Sequence, residues 1–143
     1  MIIAIGNDHA GVEFKNAIIE FFKDKNIEIK NFGTDNENSV DYPDHIHPVA
    51  EFISSKPNSY GIIICGSGNG AAMTANKHKN IRAALCWNED LAKLSRQHND
   101  ANILSIPSRF VSLEETLKMI SIFISTSFEG GRHKNRINKI PCS

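Results

Sequence analysis

Cys65 stands directly before Gly66-Ser67-Gly68-Asn69-Gly70, at the end of the apolar run Tyr60 to Ile64. Three glycines in five residues let the backbone approach a ligand closely. A helix starting after them aims free N–H groups and a partial positive charge at the same place. Such a turn is an anion cradle, and read alone it suits a phosphate-binding or structural turn as well as a catalytic loop. It lacks the Lys-Ser/Thr of a P-loop and the G-x-x-G ending of the dinucleotide fingerprint, so nucleotide binding is weakly supported. A thiol beside a helix start can supply thiolate near neutral pH, whereas a thiol buried on a strand is an inert small hydrophobe. Cys65 admits both readings.

Three further groups carry chemistry-bearing side chains. Asp8-His9, within Asn7-Asp8-His9-Ala10-Gly11, reads as an acid/base or hydroxyl-binding pair, or as a helix N-cap followed by a solvated histidine. His98-Asn99-Asp100 ends a helical segment, where a histidine also answers the C-terminal dipole. Arg132 and Arg136 are four apart and share a helix face, which suits two-pronged capture of a phosphate or simply a solvated surface.

The elements that must position these groups follow from periodicity. Ile2 to Ile5 is a buried-strand run, and Phe14, Ala17, Ile18, Phe21 and Phe22 then fall on one helix face. Ile27, Ile29 and Phe32 alternate as a second strand, Gly33 to Asp41 is a polar loop, and Ile46, Val49, Ala50 and Ile53 return to helical spacing. Tyr60 to Ile64 is apolar on both faces, as a central parallel strand is. The second half repeats the pattern: strand at Ile81 to Leu85, helix at Asn88 to Gln97, strand at Asn102 to Ile106, and a helix with the stripe Leu113, Leu117, Ile120 and Ile124. This alternation predicts a single α/β/α sandwich of three layers, Rossmann-like, around a five-stranded parallel sheet with right-handed crossovers. Ligands in such sheets bind at the carboxyl ends of the strands where the winding reverses; if the first and third strands are neighbours, the Asp8 and Cys65 turns line one crevice. Beyond Phe128-Glu129-Gly130-Gly131, a basic helix over about 130–140 has little apolar content of its own and is expected to pack on a partner subunit.

Composition narrows the classes. At 143 residues with 41% hydrophobic and 22% charged side chains, the chain reads as one soluble domain, 1–143. Sixteen basic residues balance sixteen acidic ones, so no global positive field holds a nucleic acid, and any bound anion must be small and locally gripped. Cys65, Cys86 and Cys142 are odd in number and widely spaced, arguing against a disulfide framework or a zinc site and for a reducing cytoplasmic setting. The apolar start is too short for a signal sequence, and no run approaches a membrane span.

Seven motifs in order carry a resemblance. They are N-D-H-A-G at Asn7 to Gly11, D-Y-P at Asp41 to Pro43, C-G-S-G-N-G at Cys65 to Gly70, A-N-K at Ala75 to Lys77, I-R-A-A at Ile81 to Ala84, S-R-Q-H-N-D at Ser95 to Asp100, and E-G-G-R-H-x-x-R at Glu129 to Arg136. Together they span nearly the whole chain, and the sequence resembles the ribose-5-phosphate isomerase B family, which also contains galactose-6-phosphate isomerase subunits. The resemblance implies a metal-independent, cofactor-free aldose–ketose isomerase of the pentose phosphate pathway. It also implies a homodimer or tetramer whose active sites lie across the dimer interface, acting on a sugar phosphate.

Carried over residue by residue, it makes Cys65 the proton-transfer base and Ser67, where relatives commonly have Thr, a relay between substrate oxygens. It makes His98 the ring-opening group and Asn99 a holder of a substrate oxygen. The N–H groups of Gly66, Gly68, Asn69 and Gly70 would stabilise an enediolate. Asp8 would order substrate hydroxyls, Tyr42 would pack along the sugar, and His9, Arg132 and Arg136 would grip the phosphate, with His133 and Arg109 nearby. The substrate pair implied is ribose 5-phosphate and ribulose 5-phosphate. The alternatives are a galactose-6-phosphate or allose-6-phosphate isomerase and, outside enzymes, a non-catalytic regulatory module binding a phosphate or nucleotide.

Overall fold

Short apolar runs that alternate with amphipathic helices leave each strand two faces to bury, and the chain solves this with helices on both sides of one sheet. The computed structural model describes residues 1–142. The strands are β1 Ile2–Asn7, β2 Glu28–Asn31, β3 Tyr60–Cys65, β4 Ala83–Leu85 and β5 Ile103–Pro107. All pair in parallel in the order β2-β1-β3-β5-β4. The helices are α1 Val12–Phe22, α2 Tyr42–Ser55, α3 Asn69–Ala75, α4 Glu89–Asn99, α5 Leu113–Ser125 and α6 Arg132–Ile137, with a 3₁₀ turn at His9–Gly11.

One core layer packs Phe14, Ile18, Phe22, Ala92, Met119, Ile120 and Phe123 on Ile3, Ile5, Ile62, Ile64, Leu104 and Ile106. The other packs Ile46, Val49, Ala50, Ile53, Ala71 and Ala75 on Ala4, Ile63 and Ile103. Side chains alternate along a strand, so Ile62 and Ile64 of β3 enter the first layer while Ile63 and Cys65 enter the second. Among the described residues, no helix is long and apolar enough to cross a membrane.

Two consequences of this winding govern the site. The chain leaves β1 toward β2 on one side and has β3 on the other, so the sheet reverses direction between β1 and β3. Asn7 pairs with Ile64, and the Asp8 N–H donates to the Ile64 carbonyl at 3.2 Å. The Asp8 and Cys65 turns are therefore neighbours. Secondly, each helix returns the chain to the start of the next strand, so α4 ends where strands begin. Arg82, just before β4, donates from Nε to the Asn99 carbonyl at 3.0 Å, and the Gly61 N–H on β3 donates to the Asn102 carbonyl at 2.9 Å.

The expected elements form, with four adjustments. β4 starts at Ala83 rather than Ile81, because the Arg82 N–H is taken by the Asn102 side chain at 2.9 Å. β2 is confined to Glu28–Asn31, although Phe32 N–H still reaches the Ile5 carbonyl at 2.8 Å. The buried stripe of α5 is Thr116, Met119, Ile120 and Phe123, while Leu113, Leu117 and Ile124 flank it partly exposed. Thr116 is tolerated inside because its hydroxyl donates to the Ser112 carbonyl at 2.9 Å. The terminal helix spans Arg132–Ile137 instead of 130–140 and docks on its own chain, burying Ile137 beside the end of α4.

Candidate active site

The carboxyl ends of β1, β3 and β5 form one crevice. Asp8 caps the 3₁₀ turn by accepting the Ala10 N–H at 2.9 Å, and its side chain is buried. His9 Nδ1 accepts the Val40 N–H at 3.2 Å, so the neutral ring carries its hydrogen on Nε2, as a donor. Cys65 is buried at the end of β3. The glycine turn after it is held from β5: Ser105 Oγ donates to the Gly68 carbonyl at 2.8 Å, and the Ser108 and Arg109 N–H groups donate to the Cys65 and Gly66 carbonyls, each at 3.0 Å.

Gly68 requires glycine twice over. Its φ is 75°, and a Cβ there would lie 2.5 Å from Leu85 Cδ1. Ser67 Oγ accepts the Asn69 N–H at 3.3 Å, which leaves its own proton free to donate. The Tyr42 ring lies on Gly70, where a Cβ would meet Cζ at 2.4 Å. The Arg109 guanidinium covers Gly66, with Nη1 3.0 Å from a Cβ built there. The Tyr42 phenol and the Arg109 guanidinium thus flank the glycine turn directly, while Asp8 and His9 stand on the neighbouring β1 turn and the Cys65 side chain is packed into the second core layer.

His98, Asn99, Arg132, His133 and Arg136 are not part of this crevice within one chain. They gather at the opposite end of the sheet, around the last turn of α4 and the short α6. The Arg96 guanidinium, one helical half-turn before His98, lies 5.1 Å from the ring of Tyr60, the first residue of β3. Cys65 is the last residue of β3, five strand rises or roughly 17 Å away. At this far end the His98 and His133 rings stack at 4.2 Å, and Glu129 Oε1 stands 3.6 Å from Nε2 of each. Burial lowers the His133 pKa, and the charges of His98, Arg132 and Arg136 add to this against the opposing pull of Glu129.

Several organising residues are absent from the motif reading. Ser108 Oγ donates to the Ala10 carbonyl at 2.8 Å and to the Cys65 carbonyl at 3.3 Å, tying the three turns together. Lys15 is fully buried, donates to the Thr34 carbonyl at 2.7 Å and pairs with Asp35, whose carboxyl it holds below the usual 3.8. Asn7, which opens the first motif but is given no role by the resemblance, donates from Nδ2 to that same carbonyl at 3.0 Å. These contacts anchor the loop leading to His9's partner Val40 and to Tyr42. Ser105, a lone polar residue inside an apolar strand, is the one signal the sequence offered for this shell.

The profile of the Ribose/Galactose Isomerase family matches residues 3–140. The chain belongs to this family. Ribose-5-phosphate isomerase B of Escherichia coli strain K12 is 38% identical over 138 residues, covering 96% of this chain and 93% of that one. The ribose-5-phosphate isomerase B structure from Clostridium thermocellum superposes with a TM-score of 0.94 at 45% identity, over 98% of this chain and 95% of that one. That from Mycoplasma genitalium, with bound ribulose-5-phosphate, gives a TM-score of 0.93 at 41% identity over 97% and 93%.

Proposed function

We propose that this chain interconverts ribose 5-phosphate and ribulose 5-phosphate through an enediolate, as a homodimer or higher oligomer in the reducing cytoplasm. The observation that carries the reading is the adjacency of the turns that follow β1 and β3, which places Asp8 beside the end of β3 where Cys65 leads into the amides of Gly66 to Gly70, in a chain resembling a ribulose-5-phosphate-bound relative throughout its length. In the forward direction the Cys65 thiolate takes the C2 proton of the open-chain aldose and the electron pair moves onto the C1 oxygen. The amides of the glycine turn stabilise that oxygen as its charge develops. Ser67 relays a proton between the two substrate oxygens, and the thiol returns its proton to C1, giving the ketose. Asp8 orders the remaining hydroxyls, and Tyr42 packs along the sugar.

His98 opens the ring, Asn99 holds an oxygen beside it, and Arg132 and Arg136 grip the phosphate with His9; His133 and Arg109 add to the field. Because the first group sits about a β3 length from Cys65, the complete site takes the crevice of one chain and the far end of a second copy. Exposed Tyr42 and Met73, flanking the glycine turn at 37% and 67% exposure, support a covering subunit there. A two-fold pairing supplies two such sites per dimer.

The test is direct. Purified protein without added metal or cofactor converts ribose 5-phosphate to ribulose 5-phosphate, followed by ketose-specific absorbance, and a chelator leaves the rate unchanged. Galactose 6-phosphate and allose 6-phosphate react much more slowly. No turnover of any of these sugars would return the chain to the non-catalytic phosphate-binding class.

A further inference from the structure

We propose that His98, Glu129 and His133 form a site for one divalent transition-metal ion of the zinc class, and that its occupancy inhibits the enzyme. The three side chains each offer a ligand atom, and those atoms lie within 4.8 Å of one another. Two imidazoles and one carboxylate are a ligand set that zinc accepts with a fourth position open to water. With metal–ligand bonds of about 2.0–2.2 Å, neighbouring ligands of a tetrahedral ion sit roughly 3.3–3.6 Å apart. Glu129 Oε1 is 3.6 Å from both Nε2 atoms, so two edges of the polyhedron stand within a few tenths of an ångström of the required length. The rings are stacked 4.2 Å apart and tilted by only 12°, so their lone pairs run nearly parallel, and binding one ion requires half-exposed His98 to swing its ring by tens of degrees toward Glu129 and His133.

The backbone already holds the ligands in place. The Glu129 N–H donates to the Gln97 carbonyl at 3.0 Å, which fixes the linker to the turn of α4 that carries His98. His133 follows four residues later on the first turn of α6, where its N–H donates to the Gly130 carbonyl at 3.2 Å. His98 and Glu129 are half exposed, so an ion has a route in. Arg132 and Arg136 stand on the same helix as His133, and their positive charge opposes a cation, so the affinity expected is weaker than that of a structural zinc site.

Inhibition rests on the ring-opening role of His98: an imidazole nitrogen bound to metal has no lone pair for a proton. The ion would be a brake and not a cofactor, and a chelator would restore the rate only where zinc had been added. Metal binding itself does not depend on that reading, so the two parts are tested separately.

Zinc affinity is measured by competition with a chromogenic chelator on the wild-type protein, Cys142→Ser and Glu129→Gln, without substrate. The expected result is one ion per chain with micromolar affinity, retained in Cys142→Ser. In Glu129→Gln it is weakened by at least the roughly 10–100-fold that even a partner outside the ligand sphere is worth. Cobalt substitution is expected to give visible bands without a thiolate charge-transfer band, and zinc is expected to shift the Nε2 resonances of His98 and His133 in the unmutated protein. Absence of binding below millimolar zinc, a thiolate band, unshifted resonances of both rings, or unchanged affinity in Glu129→Gln would each overturn the site. With the site established, zinc that occupies it and leaves ribose 5-phosphate turnover unaltered would overturn the inhibitory role. A protein that binds zinc as described but never isomerises sugars would refute the activity and leave the metal site standing.

Discussion

Two inactive variants of this chain should make an active enzyme when combined. Cys65→Ala disables the crevice and His98→Asn disables the far end. In a two-fold dimer, each site joins one chain's crevice to the other chain's far end. A mixed dimer of the two variants therefore contains one site with both lesions and one with neither. Purified mixed dimers should show about half the wild-type rate, and a statistical one-to-one mixture, in which half the dimers are mixed, about a quarter. The opposite arrangement sharpens the test: a chain carrying both substitutions, paired with wild type, spoils both sites and should be almost inactive.

The structural basis is the length of β3. Tyr60 and Cys65 are its two ends, and the α4 terminus lies at the Tyr60 end, so the gap is roughly 17 Å along the sheet. Proton transfer needs heavy atoms about 3 Å apart, and no side-chain rotation spans that difference. Mixed dimers are isolated with two affinity tags, verified by native mass spectrometry and assayed for ketose formation. Verified mixed dimers of the single variants with no more than parental activity, or half activity from wild type paired with the double variant, would mean that each chain works alone.

Cys65→Ala should lower kcat by roughly 10²–10⁴, the range for a positioned acid–base group, with little change in KM; equal losses in kcat and affinity would remove its proton-transfer role. Arg136→Ala should raise KM for ribose 5-phosphate and leave KM for the unphosphorylated sugar unchanged, measured by initial rates on both. Burial raises the Cys86 thiol to about 11 from 9.0, against a smaller opposing hydrogen bond from Ser95. The folded state thus keeps a proton that the unfolded chain releases, so stability is full below pH 9 and falls by about 2–3 kcal/mol as pH rises toward 11. Urea unfolding of wild type and Cys86→Ala across that range checks it, and parallel pH slopes would refute it.

What sequence reading reaches here depends on how far apart in the chain the cooperating residues are. The glycine turn and Cys65 are contiguous, and the apolar run before them marks a central strand, so the crevice is legible from Tyr60 to Gly70. Ser108 is not legible in the same way. Its two acceptors lie 98 and 43 residues away, and a serine after a strand has no local pattern that distinguishes a clamp from a solvated turn. Lys15 sits beside Phe14 on a helix whose spacing puts it at the margin of the apolar face. Its burial follows from the Thr34 carbonyl and Asp35 folding back over it, contacts made by a loop with no periodicity to read.

The separation of the two half-sites has a different origin, since topology alone contains it. In a parallel sheet every strand runs the same way and every connecting helix runs back, so a residue ending a strand and a residue ending a helix belong at opposite ends of the domain. Cys65 ends β3 and His98 falls in the last turn of α4. Motif order places them in one list, but chain direction places them a strand length apart. The roles proposed for Cys65 and His98 therefore require two copies of the chain at each site. The same proposal gives the short basic helix at the far end of the sheet, with Ile137 as its one buried apolar residue, a substrate to hold: its arginines stand a strand length from the crevice of their own chain and would meet a phosphate only in that of another.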